Sequence, residues 1–213
     1  MPNMPNTPNT LNRPFVVGLT GGIACGKSSI CSLFKKLNVP IVDADIVARE
    51  VVEVGSPLLK VLASRFGEDV LHADGSLNRR KLREIAFDKS KPENLQDLNK
   101  IMSPAIQSEL KRQIEEKNSP YVIVAIPLLF EHHLEHLVDR ILVVDVKEDL
   151  QLKRLCRRDS INETLAKSII ASQVTREERL KKADDLIESD ESPLDKKLNV
   201  VVKLHNMYLN FAK

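Results

Sequence analysis

Tryptophan is absent from the 213-residue chain and aromatic residues make up only 4% of it, which argues against a base-stacking surface for single-stranded nucleic acid. The core should therefore be aliphatic. An excess of one charge is missing as well. Lys and Arg number 32 against 30 Asp and Glu, a net charge of +2, with the signs interspersed, so no strong field directs the chain toward nucleic acid or a membrane surface. Cysteine is scarce: Cys25, Cys31 and Cys156 form neither an even disulfide framework nor a metal-ligand spacing. That usage suits a reducing compartment and predicts a cytoplasmic protein. Long apolar runs are lacking too. The longest, YVIVAIPLLF at 121–130, contains a proline and falls well short of the ~20 residues a membrane helix requires. The opening MPNMPNTPNTLNR has neither a basic start nor an apolar centre, so it does not read as a secretory signal; residues 1–13 read as a disordered tail.

Glycine is also sparse, seven residues in all, yet four of them fall between Gly18 and Gly26. Around that cluster the order of elements is regular. Apolar, β-branched runs at 15–20, 39–45, 121–127 and 140–146, with a shorter one at 185–189, read as buried strands. Helical spacing fills 27–37, 46–54, 150–158, 163–180 and 194–211. Strand alternating with helix predicts an α/β fold with a parallel five-stranded sheet flanked by helices. Residues 57–118 break the rhythm, with amphipathic helical spacing and no convincing strand. They read as a helical insertion, either the second wall of a site at the C-terminal edge of the sheet or simply an enlargement of the core.

Gly21-Gly22-Ile23-Ala24-Cys25-Gly26-Lys27-Ser28 fits the pattern G-x-x-x-x-G-K-[ST] at each fixed position, after a predicted strand and before a predicted helix. Glycines let successive backbone N–H groups turn into one concavity, and the helix N-terminus adds its positive end. Such a nest binds phosphate, with Lys27 reaching the terminal phosphates, Ser28 a candidate Mg²⁺ ligand and the backbone of 22–28 wrapped around the polyphosphate. Cys25 within the nest would have a lowered thiol pKa if the helix terminus dominated, or be there simply because it is small.

Further residues offer chemistry with alternatives attached. Asp43 and Asp45 stand two apart in a predicted strand end, so both can face one side; Asp45 reads either as general base or as N-cap of the following helix. Arg49, four residues on, is either an anion-binding residue on the same helical face or an exposed arginine. Arg154, Arg157 and Arg158 recur at helical spacing as one cationic face, either of a closing lid or of a solvated helix. His132-His133-Leu134-Glu135-His136 imitates an inverted zinc-peptidase motif, without a further acidic ligand in a matching helix. A GTP switch would need a base-reading N-K-x-D, and NKIM at 99–102 places Met102 where the aspartate belongs.

Taken together, GLTGGIACGKS at 18–28, VDADIVARE at 42–50, PLLFE at 127–131, LKRLCRRD at 152–159 and SQVTREERLKKADDLI at 172–187 resemble the dephospho-CoA kinase family. That resemblance implies a P-loop kinase that phosphorylates the ribose 3′-hydroxyl of dephospho-CoA with ATP and Mg²⁺. It implies a nucleotide-binding core at 14–56, 119–149 and 171–213, a helical acceptor domain at 57–118 and a lid at 150–170. Asp45 falls on the family's catalytic carboxylate, with Lys27 and the lid residue Arg154 as its catalytic partners. ATP contacts fall on Gly22, Ile23, Ala24, Cys25, Gly26, Lys27, Ser28, Ser29, Arg157 and Arg176, the metal contact on Ser28, and acceptor contacts on Thr20, Asp45, Arg49, Leu128 and Leu129. Gln173 matches a segment bordering the nucleotide, without an assigned role. Two positions depart from the family pattern. Ala24 replaces a glycine, which costs strain if its φ is positive, and ESDES at 188–192 stands where relatives often carry Asn and Gly. No partner besides the small-molecule substrate is implied, and the oligomeric state is left open.

Overall fold

The computed structural model describes residues 13–192 and 194–213; all but the last residue of the predicted tail lies outside them. Arg13 is anchored, its guanidinium making a two-pronged pair with Asp139 at 2.8 Å for each contact. Oδ2 of that carboxylate also accepts from the Val16 amide at 2.8 Å, so the chain is fixed where it enters the sheet.

Strands β1 (Phe15–Thr20), β2 (Ile41–Asp43), β3 (Tyr121–Ala125), β4 (Arg140–Asp145) and β5 (Asp185–Glu188) pair in parallel in the order β2-β3-β1-β4-β5. In β1 and β3 every residue is buried, which is why they read as unbroken apolar runs, whereas edge strand β5 buries only Ile187. Strands 2 and 3 lie to one side of β1 and strands 4 and 5 to the other. The C-terminal end of β1 is thus the point where the winding reverses, the place where open parallel sheets bind ligands.

The chain divides into two compact units, one of residues 44–113 and the other containing the remainder. The sheet unit also holds α1 (Lys27–Lys36), α6 (Glu148–Asp159), α7 (Glu163–Ala171), α8 (Arg176–Lys182) and α9 (Leu194–Phe211). Its core is mainly Val, Leu and Ile, but both of the chain's tyrosines are fully buried in it. Each hydroxyl is satisfied, Tyr121 with Nδ1 of His205 at 2.7 Å and Tyr208 donating to Asp185 at 2.9 Å. Aromatic content is low, yet it is concentrated where α9 docks.

The second unit is helical: α2 (Ala44–Glu50), α3 (Pro57–Phe66), α4 (Arg79–Ala86) and most of α5 (Glu93–Glu115), with one isolated antiparallel bridge, Leu71 to Leu77, around the turn ADGS at 73–76. Its ends are written locally. Ser56 caps α3 by accepting from the Leu58 amide, Pro57 opens the helix, and Gly67 at φ 94° closes it. Val52, Leu59, Leu62, Phe66, Val70 and Leu82 form a separate core. This unit begins at Ala44 rather than at 57 because α2 belongs to it, and residues 150–170 form no unit of their own but stay with the sheet. No helix among the described residues is long and apolar enough to cross a membrane.

The predicted helix at 163–180 is two helices. Thr175 starts α8 with a reciprocal capping box, its hydroxyl accepting from the Glu178 amide while the Glu178 side chain accepts from the Thr175 amide. An intact box starts a new helix even inside an unbroken amphipathic pattern. The break leaves Gln173 in the connector.

Candidate active site

The loop between β1 and α1 has its shape because side chains are excluded from it. A Cβ on Gly21 would lie 2.5 Å from the Val144 carbonyl oxygen, and one on Gly22 would lie 2.7 Å from Nε2 of Gln151 and 2.8 Å from Nη2 of Arg179. Gly26, the residue before α1, sits at φ 92°, a conformation open to glycine. Ala24 is at φ 59°, so the methyl is carried in a left-handed conformation at a cost of about 1–2 kcal/mol.

That shape leaves donors without intramolecular acceptors. Cys25 N–H bonds the Gly22 carbonyl at 3.0 Å and Ser29 N–H bonds Gly26, but among the described residues no acceptor faces the amides of Ala24, Gly26 and Ser28. The first turn of α1 has no side-chain cap and no acidic residue. Lys27 is half-buried beside these amides, and Ser28 and Ser29 are exposed. Three N–H groups without acceptors, a helix N-terminus and a lysine are a donor set suited to a multiply charged anion.

Two glutamines hold the loop from behind. The Ile23 amide donates to Oε1 of Gln173 at 2.7 Å, and the Ile23 carbonyl accepts from Nε2 of Gln151 at 2.9 Å. Gln151 is buried in the first turn of α6 and Gln173 lies in the α7–α8 connector, so the start of the expected lid and the segment just beyond it are tied to one loop residue. The connector is held in turn by Glu131, the last residue of PLLFE, whose Oε1 accepts from the Val174 amide at 3.0 Å. Ile23 therefore braces the loop through its own peptide groups. Cys25 is buried, and burial pushes its thiol above the ordinary value despite the nearby Lys27 charge. The helix terminus does not make it a reactive thiolate.

The arginines separate. Arg176 forms a two-pronged pair with Asp145 at 2.8 and 2.6 Å, at the end of β4. Arg154, expected in the lid, donates to the Ser189 hydroxyl and carbonyl at 2.8 and 3.1 Å and to the Asp190 carbonyl at 3.0 Å. It thus shapes the loop after β5. Arg158 is taken by neighbouring Asp159 at 2.7 Å, and Arg157 is exposed. Beside these groups, at the C-terminal ends of β4 and β5, lies a cavity of about 330 Å³ lined by Asp145, Val146, Leu150, Arg176, Ser189 and their neighbours. Residues 188–191, the segment that departs from the family pattern, form one of its sides.

Other expected positions shift. Asp43 ends β2, whereas Asp45 lies in the first turn of α2, which starts at Ala44. The two carboxylates therefore do not share a strand face, and Asp45 is inside the helix rather than at its cap. Asp45 and Arg49 are both exposed and stand one turn apart on α2, as their spacing predicts. Thr20 is buried and donates to the Pro127 carbonyl at 3.3 Å. Leu129 is fully buried, so it is core rather than a contact surface, while Leu128 is exposed. The H-x-x-E-H stretch lies on turns and a short 3-10 segment (Glu135–Leu137), with Glu135 paired to Lys182 at 3.0 Å. Among the described residues no cluster is able to hold a metal through His, Cys, Asp and Glu.

The sequence assigns no role to three site residues, Gln151, Glu131 and Arg179, all of which act through tertiary placement.

Comparison with known proteins adds an independent line. The family model described as Dephospho-CoA kinase matches residues 15–195. The dephospho-CoA kinase of Aggregatibacter actinomycetemcomitans is 50% identical over 203 residues, 93% of this chain and 97% of the relative. That of Mannheimia succiniciproducens is 48% identical over 202 residues, 93% and 94%. Among solved structures, dephospho-CoA kinase from Campylobacter jejuni superposes with a TM-score of 0.70 at 28% identity, over 92% of this chain and 97% of that one. A parallel sheet wound in the order 2-3-1-4-5, a glycine loop with open amides at its switch point and relatives of this similarity along nearly the whole length agree: the chain belongs to the dephospho-CoA kinase family.

Proposed function

We propose that the protein transfers the γ-phosphoryl group of ATP to the ribose 3′-hydroxyl of dephospho-CoA, giving coenzyme A and ADP, with the residue roles that follow. The observation carrying this reading is the set of amides at Ala24, Gly26 and Ser28, which lack acceptors among the described residues and stand beside Lys27. Oriented N–H groups and a lysine stabilise charge spreading over the transferred group without reorganising during the reaction. Gln151 and Gln173, gripping Ile23 from both sides, keep that orientation. Positive charge that would offset part of the phosphates' negative charge is what a bound Mg²⁺ would supply here. Ser28 is the oxygen donor this chain would offer it, exposed at the start of α1, which fits a hard cation that retains most of its waters. The cavity beside Asp145 and Arg176 is assigned to the nucleoside end of ATP.

Asp45 is the general base for the 3′-hydroxyl, and Arg49, one turn along α2 and also exposed, holds an anionic group of the acceptor. The family position and the shared helical face support these two roles. The chain's three free cysteines and near-balanced charge support a cytoplasmic enzyme. The test is whether purified protein converts dephospho-CoA and ATP into coenzyme A and ADP, with shikimate and nucleosides as alternative acceptors. Asp45→Asn should lower kcat by roughly 10²–10⁴ with ATP affinity little changed; an unchanged kcat would remove Asp45 from the chemistry.

A further inference from the structure

Arg179, in the middle of α8, is an unusual buried charge. Only 7% of it is exposed, and among the described residues no carboxylate lies within ion-pair distance of its guanidinium. The acids whose charge it feels are engaged elsewhere, Asp145 by Arg176 and Glu131 by the Val174 amide. Its single hydrogen bond runs from Nη1 to the Val174 carbonyl at 2.6 Å. No buried side-chain nitrogen or oxygen among the described residues lacks a partner, so Nε and Nη2, which have none, retain access to solvent. Nη2 is the atom that a Cβ on Gly22 would approach to 2.8 Å, which puts the guanidinium against the first turn of the phosphate loop.

An arginine buried without a counter-ion destabilises a fold, because desolvation is not offset by a partner; here burial depresses its pKa from the ordinary arginine value. Such a charge is compensated when a ligand brings the anion. We propose that Arg179 is a substrate-contacting catalytic residue. Held by Val174 and set against Gly22, it donates from Nε and Nη2 to the nucleotide's phosphates and stabilises the negative charge of phosphoryl transfer. The proposal rests on the phosphate-binding reading of the loop. It also accounts for Gly22, since any side chain there would displace the guanidinium.

Arg179→Met keeps the apolar stem and removes the charge. The expected result is a Tm equal to or above that of the unsubstituted protein, with kcat/KM for ATP lower by about 10²–10³, the usual loss for one preorganised donor. The rise in Tm produced by saturating ADP and Mg²⁺ should also shrink. A kcat/KM within about threefold of the unsubstituted enzyme, with an undiminished ADP response, would overturn the proposal and leave Arg179 structural. Should Arg179→Met fail to fold, Arg179→Lys decides. One ammonium cannot serve both Val174 and a phosphate as the forked guanidinium does, so kcat/KM should fall at least about tenfold, and an unchanged value would overturn the assignment. Failure of the acceptor assignment is separable. A protein inactive on dephospho-CoA whose ADP-induced Tm shift still depends on Arg179 retains the phosphate contact.

Discussion

Helices α1 and α8 begin in opposite ways within one unit. Before α8, Thr175 and Glu178 close a reciprocal box over the first amides, and Glu177 and Glu178 put negative charge in the first turn. Before α1 stands Gly26 at φ 92°, with no side-chain cap and no acid in the first turn. A helix with free choice of sequence caps itself, for about 1 kcal/mol. The comparison teaches that α1 leaves its N-terminal donors for a ligand, whereas α8 closes its start with its own side chains, Thr175 and Glu178, and carries Arg179 and, through the connector, Gln173.

The difference can be broken from the α1 side with the largest effect. Gly22→Ala would place a methyl 2.7 Å from Gln151 and 2.8 Å from Arg179, forcing the loop off both. ATP-dependent turnover should fall by at least about 10²-fold, as for a lost preorganised donor set, measured as kcat/KM alongside circular dichroism to verify folding. From the α8 side the effect is on stability. Thr175→Ala removes half of the capping box and should cost about 1 kcal/mol, read as a lower Tm or urea midpoint, with kcat changed far less than by the loop substitution. Smaller still is Ala24→Gly, which relieves the left-handed strain at φ 59° but adds backbone freedom to the unfolded chain. A stabilisation of less than about 1 kcal/mol is expected, visible as a small rise in Tm. At the thiols, burial and a raised pKa make Cys25 slower to alkylate than the partly exposed Cys156, a ranking that timed iodoacetamide labelling with peptide mapping would test.

Much of the fold was legible because its strands follow simple rules. β1 and β3 are buried throughout and so appear as continuous apolar runs, and the loop motif marks its own backbone geometry. The division of 163–180 was hidden because amphipathic spacing continues through it, although T-x-x-E at Thr175 and Glu178 was a readable start signal. Asp45 was expected on a strand because its neighbours are β-branched; β2 instead stops at Asp43 and α2 takes over at Ala44. Side chains whose role depends on partners distant in the chain were not legible. Arg154 reaches Ser189, Gln151 reaches Ile23, and Arg179 lies against Gly22. None of these pairings has a fixed sequence spacing, so only the folded arrangement reveals them.

The central claim is that the amides opening α1 are kept for phosphate while those opening α8 are not. Backbone NMR of the ¹⁵N-labelled protein, titrated with ADP and Mg²⁺ and separately with adenosine, tests it directly. The account predicts large shifts of the Ala24, Gly26 and Ser28 amides with the nucleotide and not with adenosine, while the Glu178 amide moves little. Loop amides that stay in place at saturating nucleotide would contradict it.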